Sequence, residues 1–135
     1  APYYPQLEQR YPDARFILTV RDEQRWLDSC EHHWRMRDFD GVQRQGGLTA
    51  AVRDFLRIAV YGCTAFARQR FLDVYRRHLD AVVRHFAARP EALLVVDLTR
   101  GEGFVPLCRF LGVAVPDQPI PHEGRRRPLS RVSRR

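Results

Sequence analysis

Tyr11-Pro12-Asp13-Ala14-Arg15-Phe16-Ile17-Leu18-Thr19-Val20-Arg21-Asp22 is the stretch whose reading decides the fold. It reads as a turn, a strand, an arginine at the strand's end, and then a helix. Residues 16–20 are apolar, rich in β-branched and aromatic side chains, and too short for an independent helix. Asp22 suits a helix N-cap, and Glu23 adds a second negative charge to the first turn. Arg21 then stands at the carboxyl end of a parallel strand, where open α/β sheets bind their ligands. The segment points to an anion, in the first place a phosphate, because the guanidinium fork suits bidentate recognition of phosphate. Ser29 follows eight residues after Arg21. Eight residues of helix span about 12 Å, and a long arginine side chain laid along the first turn points towards it. The plainer reading makes Arg21 an ion-pair partner of Asp22, Glu23 or Asp97, and Ser29 a solvated helix serine.

Working outward, residues 5–11 form a short helix that leads into the strand. Residues 22–36 read as a helix, with Leu27, Cys30 and Trp34 on one stripe and Trp26 beside them. Residues 38–47 are polar and end in Gly46-Gly47, the signature of a mobile loop. A second helix covers residues 48–60, with Leu48, Val52, Phe55, Leu56 and Ala59 on one face. A longer one covers residues 66–88, with the stripe Phe71, Tyr75, Leu79, Val82 and Phe86, and Pro90 closes it. Residues 92–97 are apolar on both faces, as expected of a strand buried in a parallel sheet. Phe104, Leu107, Cys108 and Leu111 mark a last short helix, with Gly112 at its C′ position. From Pro116 onward the chain is loop and tail.

Composition narrows the function classes. The chain has 135 residues, one domain's worth, and its 44% hydrophobic content supports a core. No apolar run approaches the roughly 20 residues of a membrane span, and no signal peptide is visible at the start. The 23 basic residues are all arginine. Six of them lie in residues 124–135, which carry no acid, so the net charge of +7 falls to +1 without that stretch. The basic character is a property of the tail, expected to be solvated and disordered. A folded part close to neutral, without a known nucleic-acid motif, argues against a nucleic-acid partner. The three cysteines, Cys30, Cys63 and Cys108, form no paired motif. An odd count argues against a disulfide framework and against structural zinc. Reduced thiols, with Cys30 and Cys108 buried, agree with a cytoplasmic location.

The pattern around Arg21 resembles the P-loop sulfotransferase family. In one branch of it the strand looks like Tyr-Pro-x-Ala-Lys-Phe-Ile-Leu-Thr-x-Arg-Asp, followed by Trp and Ser. Residues 11–22 follow that wording with Arg15 in place of Lys, and Trp26 and Ser29 come after. Leu93-Leu94-Val95-Val96-Asp97 is similar to the branch's second strand. Residues 103–112, Gly-Phe-Val-Pro-Leu-Cys-Arg-Phe-Leu-Gly, resemble its Gly-Trp-x-Pro-Leu-Cys-x-Phe-Leu-Gly, and residues 116–122 resemble its closing Pro-rich turn. The resemblance covers roughly residues 2–122. It implies an α/β, three-layer P-loop NTPase-like fold of the sulfotransferase type. It also implies transfer of a sulfuryl group from 3′-phosphoadenosine 5′-phosphosulfate (PAPS) to an acceptor hydroxyl or amine. Arg21 and Ser29 match the positions that hold the nucleotide's 3′-phosphate in that family. Arg100-Gly101 partly matches a second 3′-phosphate segment, so Arg100 joins the candidates.

The family's Gly-rich loop, which cradles the 5′-phosphosulfate through backbone N–H groups, has no counterpart here. Gly46-Gly47 follows a polar stretch, and the family's usual base lies upstream of the strand holding Arg21, where this chain has only twenty residues. The expectation is a C-terminal portion of the fold, helix-rich with two parallel strands. Residues 1–122 would form the partial domain and residues 123–135 the Arg-rich tail. Two strands alone make a marginal sheet, so the segment by itself should be marginally stable and inactive. No catalytic residue and no metal ligand is assigned. His32-His33 lacks metal-ligand spacing, and His78 and His85 fall near an apolar face. Asp97 ends the second strand, either as a ligand contact or as a cap. Trp26 and Trp34 are expected in the core. The partner is a small-molecule or carbohydrate acceptor. The alternative is a non-catalytic remnant that binds a nucleotide or a partner protein.

Overall fold

The computed structural model describes residues 3–39, 50–101 and 103–120. The expected loop from residue 40 onward and the Arg-rich tail lie outside the described residues. In chain order the elements are α1 (Tyr4–Arg10), β1 (Phe16–Thr19), α2 (Glu23–Phe39), α3 (Ala50–Tyr61), α4 (Arg68–His85), β2 (Leu93–Val96) and α5 (Val105–Leu111). Short 3-10 turns at Pro90–Ala92 and Leu98–Arg100 bracket β2. The result is a helix-rich α/β arrangement with two parallel strands.

β1 and β2 pair in parallel, Phe16 opposite Leu93 and Thr19 opposite Val96. Parallel neighbours need a long crossover, and α2, α3 and α4 supply it. β1 alternates between half-buried and exposed positions. Phe16 and Leu18 pack with Leu93 and Tyr4 against buried Val82, Phe86 and Ala92. Ile17 stays 42% exposed and Val95 46%. The sheet expected to be covered on both faces is therefore covered only in part. Among the described residues, the cover at Phe16 and Leu18 comes from α1, the carboxyl half of α4 and the turn after it.

α4 follows the expected stripe. Phe71 and Val82 are buried along it, and Phe86 just beyond its end. A second core forms around Phe71, whose ring meets Tyr61 at 4.0 Å, Phe66 at 4.8 Å and Trp34 at 4.9 Å. Charged pairs fasten the elements to α4. Arg76 makes a bidentate pair with Glu23 (2.8 and 2.6 Å), and Arg68 reaches Asp28 and Gln24 on α2. Glu8 on α1 bonds both His85 and Arg89.

The apolar stripe of α3 is left open: Phe55 is 69% exposed and Leu56 is also exposed. The buried member is Arg57, whose guanidinium lies 4.7 Å over the Trp34 ring and donates to the Thr64 carbonyl. A cation over an aromatic face and a carbonyl is an acceptable buried arrangement. The stripe requires a cover, and the described chain places none on Phe55.

The described residues divide into two compact units, one up to Arg100 and one from Gly101. In the second unit α5 ends as expected. Gly112 adopts φ +73°, and the Val113 N–H reaches back to the Cys108 carbonyl at 3.0 Å. That left-handed turn favours glycine. Among the described residues, no helix is long and apolar enough to cross a membrane.

Candidate functional site at the carboxyl end of the strand pair

The ladder between β1 and β2 makes one more bond past Thr19, from the Val20 N–H to the Val96 carbonyl (2.9 Å). Arg21 comes next, beyond the reach of the sheet. Its backbone is held instead by Tyr75 of α4. The Arg21 N–H donates to the Tyr75 hydroxyl at 3.0 Å, and that hydroxyl donates to the Arg21 carbonyl at 2.9 Å. One residue later, the Asp22 carboxylate accepts the Arg25 N–H at 3.0 Å and starts α2, as its residue type predicts. Arg21 thus stands at the join between a parallel strand and the N-terminus of the following helix, where exposed N–H groups favour anions.

The Arg21 Nε is shielded from solvent and has no hydrogen-bond partner among the described residues. A buried unpaired donor on a cation is costly. Arg53 Nε is in the same state, but it lies 3.6 Å from the Asp54 carboxylate. The positive charge of Arg21 reaches two neighbours. Burial pushes the Cys30 thiol up from its ordinary value, and Arg21 opposes that shift. The Asp97 carboxyl is held below its ordinary value, chiefly by the Thr99 hydroxyl. Burial opposes that shift, while the Thr99 N–H and the charges of Arg100 and Arg21 reinforce it.

Asp97 acts as a cap. It accepts the Thr99 N–H at 2.8 Å and the Thr99 hydroxyl at 2.6 Å, and so starts the 3-10 turn at Leu98–Arg100. Arg100 is largely exposed, with its Nε 3.4 Å from the Asp97 carboxylate. Arg100 therefore pairs with the Asp97 carboxylate just past the end of β2. Ser29 is exposed in the second turn of α2, next to the Cys30 thiol that feels the Arg21 charge. Among the described residues, no three histidine, cysteine or acidic side chains are grouped to hold a metal ion.

The family model described as the sulfotransferase domain matches residues 1–128. The chain belongs to the sulfotransferase domain family. A relative from Aspergillus versicolor, named Ava biosynthesis cluster protein M, is 24% identical over 132 residues, covering 89% of this chain and 49% of the relative. The chain spans about half the length of that curated relative.

Within this sulfotransferase domain, sequence reasoning missed the part played by Tyr75. It sits on the α4 stripe at the spacing of a core residue. The available signal was its hydroxyl, which among the stripe's side chains alone carries a hydrogen-bonding group needing a partner once covered. Trp26, expected in the core, is half-buried and stacks on Tyr75 at 4.5 Å with the rings 27° apart. Together they border an open groove of about 600 Å³, whose lining includes Val60, Val74, His78 and Ala81. Trp34 is likewise half-buried, edge-on to Phe71, with its indole N–H on the Thr64 carbonyl at 3.0 Å. His32 and His33 are exposed on α2. His85 packs its edge on Tyr4 and Phe86.

Proposed function

We propose that this sulfotransferase domain works with PAPS, and that the carboxyl edge of β1 and β2 holds the nucleotide's 3′-phosphate. The observation that carries the reading is the shielded, unpartnered Nε of Arg21 at the end of a parallel strand. A phosphate oxygen there would complete the missing hydrogen bond and meet a guanidinium suited to bidentate contact. Ser29, exposed in the second turn of α2, would be the second contact. Arg100 is a third, weaker one, because its guanidinium already pairs with Asp97.

When bound, PAPS supplies the activated sulfuryl group, and transfer to an acceptor hydroxyl or amine leaves adenosine 3′,5′-bisphosphate. In this reading the chain's own residues bind and orient. Arg21 and Ser29 fix one end of the nucleotide, and such positioning lowers the barrier without bond-making by the side chains. Residues 1–122 would belong to a three-layer domain of the P-loop sulfotransferase type. The uncovered Ile17 and Val95 on the strand pair support further sheet or helix cover in that domain. The acceptor is a small molecule or carbohydrate, in keeping with the biosynthetic setting in the relative's name.

The test is calorimetric binding of adenosine 3′,5′-bisphosphate and of adenosine 5′-monophosphate. Arg21→Ala should weaken the bisphosphate by about 1.5–3 kcal/mol, the size of a charge-assisted hydrogen bond. It should leave the monophosphate almost unchanged. Equal losses for both ligands would place Arg21 in the scaffold and end the 3′-phosphate reading. Binding with no sulfuryl transfer to any acceptor would favour a non-catalytic nucleotide-binding module.

A further inference from the structure

We infer that Tyr75 is the positioning residue of the Arg21 anion site, holding the end of β1 so that the guanidinium presents to the phosphate. This rests on the 3′-phosphate reading above and extends it to a residue on another element. The last ladder bond joins the Val20 N–H to the Val96 carbonyl. Beyond it, the N–H and the carbonyl of Arg21 meet no strand among the described residues. The Tyr75 hydroxyl takes both, accepting from one at 3.0 Å and donating to the other at 2.9 Å. A hydroxyl is donor and acceptor at once, and no apolar ring can replace it.

Two hydrogen bonds on opposite sides of one Cα fix both adjoining peptide planes. They therefore fix the direction in which the side chain leaves the backbone. That direction matters because the Arg21 Nε is enclosed and unpartnered, so a small turn of the backbone changes which group faces an incoming anion. Tyr75 is itself held. It follows buried Phe71 by one helical turn on α4, and Trp26 stacks on its ring at 4.5 Å. Trp26 belongs to the first turn of α2, the helix that begins two residues after Arg21. β1, α2 and α4 thus converge on one phenol, 54 residues away in sequence from the arginine that it clasps. A binding group supported by locked neighbours is held close to its productive geometry.

The experiment compares Tyr75→Phe with Arg21→Ala and the double variant in the full chain. It measures the affinities of adenosine 3′,5′-bisphosphate and adenosine 5′-monophosphate. Phe keeps the ring on Trp26 and removes only the hydroxyl. Tyr75→Phe should weaken the bisphosphate about tenfold, the effect of two neutral hydrogen bonds acting at one remove. It should spare the monophosphate and add little to Arg21→Ala, because both act through one group. Tyr75→Phe binding the bisphosphate as tightly as the unmodified protein, while Arg21→Ala loses it, overturns the Tyr75 inference and leaves the site. Equal loss of both ligands in Tyr75→Phe makes the tyrosine a scaffold residue and also overturns it. If Arg21→Ala changes neither ligand, the 3′-phosphate reading fails and takes this inference with it. A measurement on the unmodified, ligand-free full-length protein covers the case of a variant that does not fold. The Arg21 amide should be strongly protected from hydrogen exchange, and exchange at the rate of an open loop would overturn the clasp.

Discussion

Phe71→Ala is the perturbation that best measures how the crossover helices hold together. Phe71 is fully buried at the start of α4. Its ring lies flat on Tyr61 (4.0 Å, 6° between planes) and edge-on to Trp34 (4.9 Å, 89°). It also meets Phe66 at 4.8 Å and Trp26 at 6.4 Å. One side chain therefore joins α2, the end of α3 and α4. Transfer of a buried phenyl group alone contributes about 2–3 kcal/mol. A Phe→Ala change in a core costs about 3–5 kcal/mol once the cavity is included. Aromatic pairs add about 0.5–1.5 kcal/mol each beyond their buried area, and four ring partners lose one here. We expect about 4 kcal/mol, the middle of the 3–5 kcal/mol range for such a change, a large share of the 5–15 kcal/mol that a domain typically has. Phe71→Leu keeps most of the volume and should cost about 1–2 kcal/mol. Urea denaturation followed by tryptophan emission is the suitable assay, because Trp26 and Trp34, the chain's two tryptophans, both face this ring. A loss below about 1 kcal/mol, with unchanged emission, would refute the claim that Phe71 is the hub of these helices.

Further expectations concern the site and the open surfaces. Arg21→Lys should restore only part of the bisphosphate affinity lost in Arg21→Ala, because it keeps the charge and loses the fork. Ser29→Ala should cost about 0.5–1.5 kcal/mol, the value of one neutral hydrogen bond, and titration calorimetry reads both. The Asp97 carboxyl is held below its ordinary value in the folded chain, so its contribution is present above the unfolded carboxylate range. That contribution is lost as pH falls through the lowered folded value. Asp97→Asn should be less stable near neutrality, with the gap to the parent closing in acid, and a gap independent of pH would contradict this. Exposed Ile17, Phe55, Ile58 and Val95 predict that the isolated 135-residue chain binds a hydrophobic dye and melts broadly. A sharp two-state melt without dye binding would count against it.

Much of the fold was legible along the chain because local physics dominates there. The run at residues 16–20 could only be a strand, Asp22 caps the helix that follows, and Gly112 ends α5 in the turn that glycine permits. The stripe of α4 gave its buried face because Phe71, Val82 and Phe86 recur at helical spacing. The boundary of α2 was less legible. It runs through Asp38 and Phe39, where polar composition suggested a loop. Arg21 was legible as a candidate from its place at a strand's end, and Asp97 as one of two alternatives, of which the structure favours the cap.

Partnership across the fold was not legible. Periodicity shows that α3 has an apolar face but not what covers it. Phe55 is turned to solvent and Arg57 inward, because Trp34 and the Thr64 carbonyl offer a cation better contacts on that side. The hold on Arg21 was equally hidden, since Tyr75 carries only the spacing of a core residue. Hydropathy along a chain states which faces want burial, and residue type states which groups want partners. Only packing decides which of them meet. Here it brought a tyrosine hydroxyl to the one residue past the ladder whose two backbone groups the neighbouring strand had left unmatched.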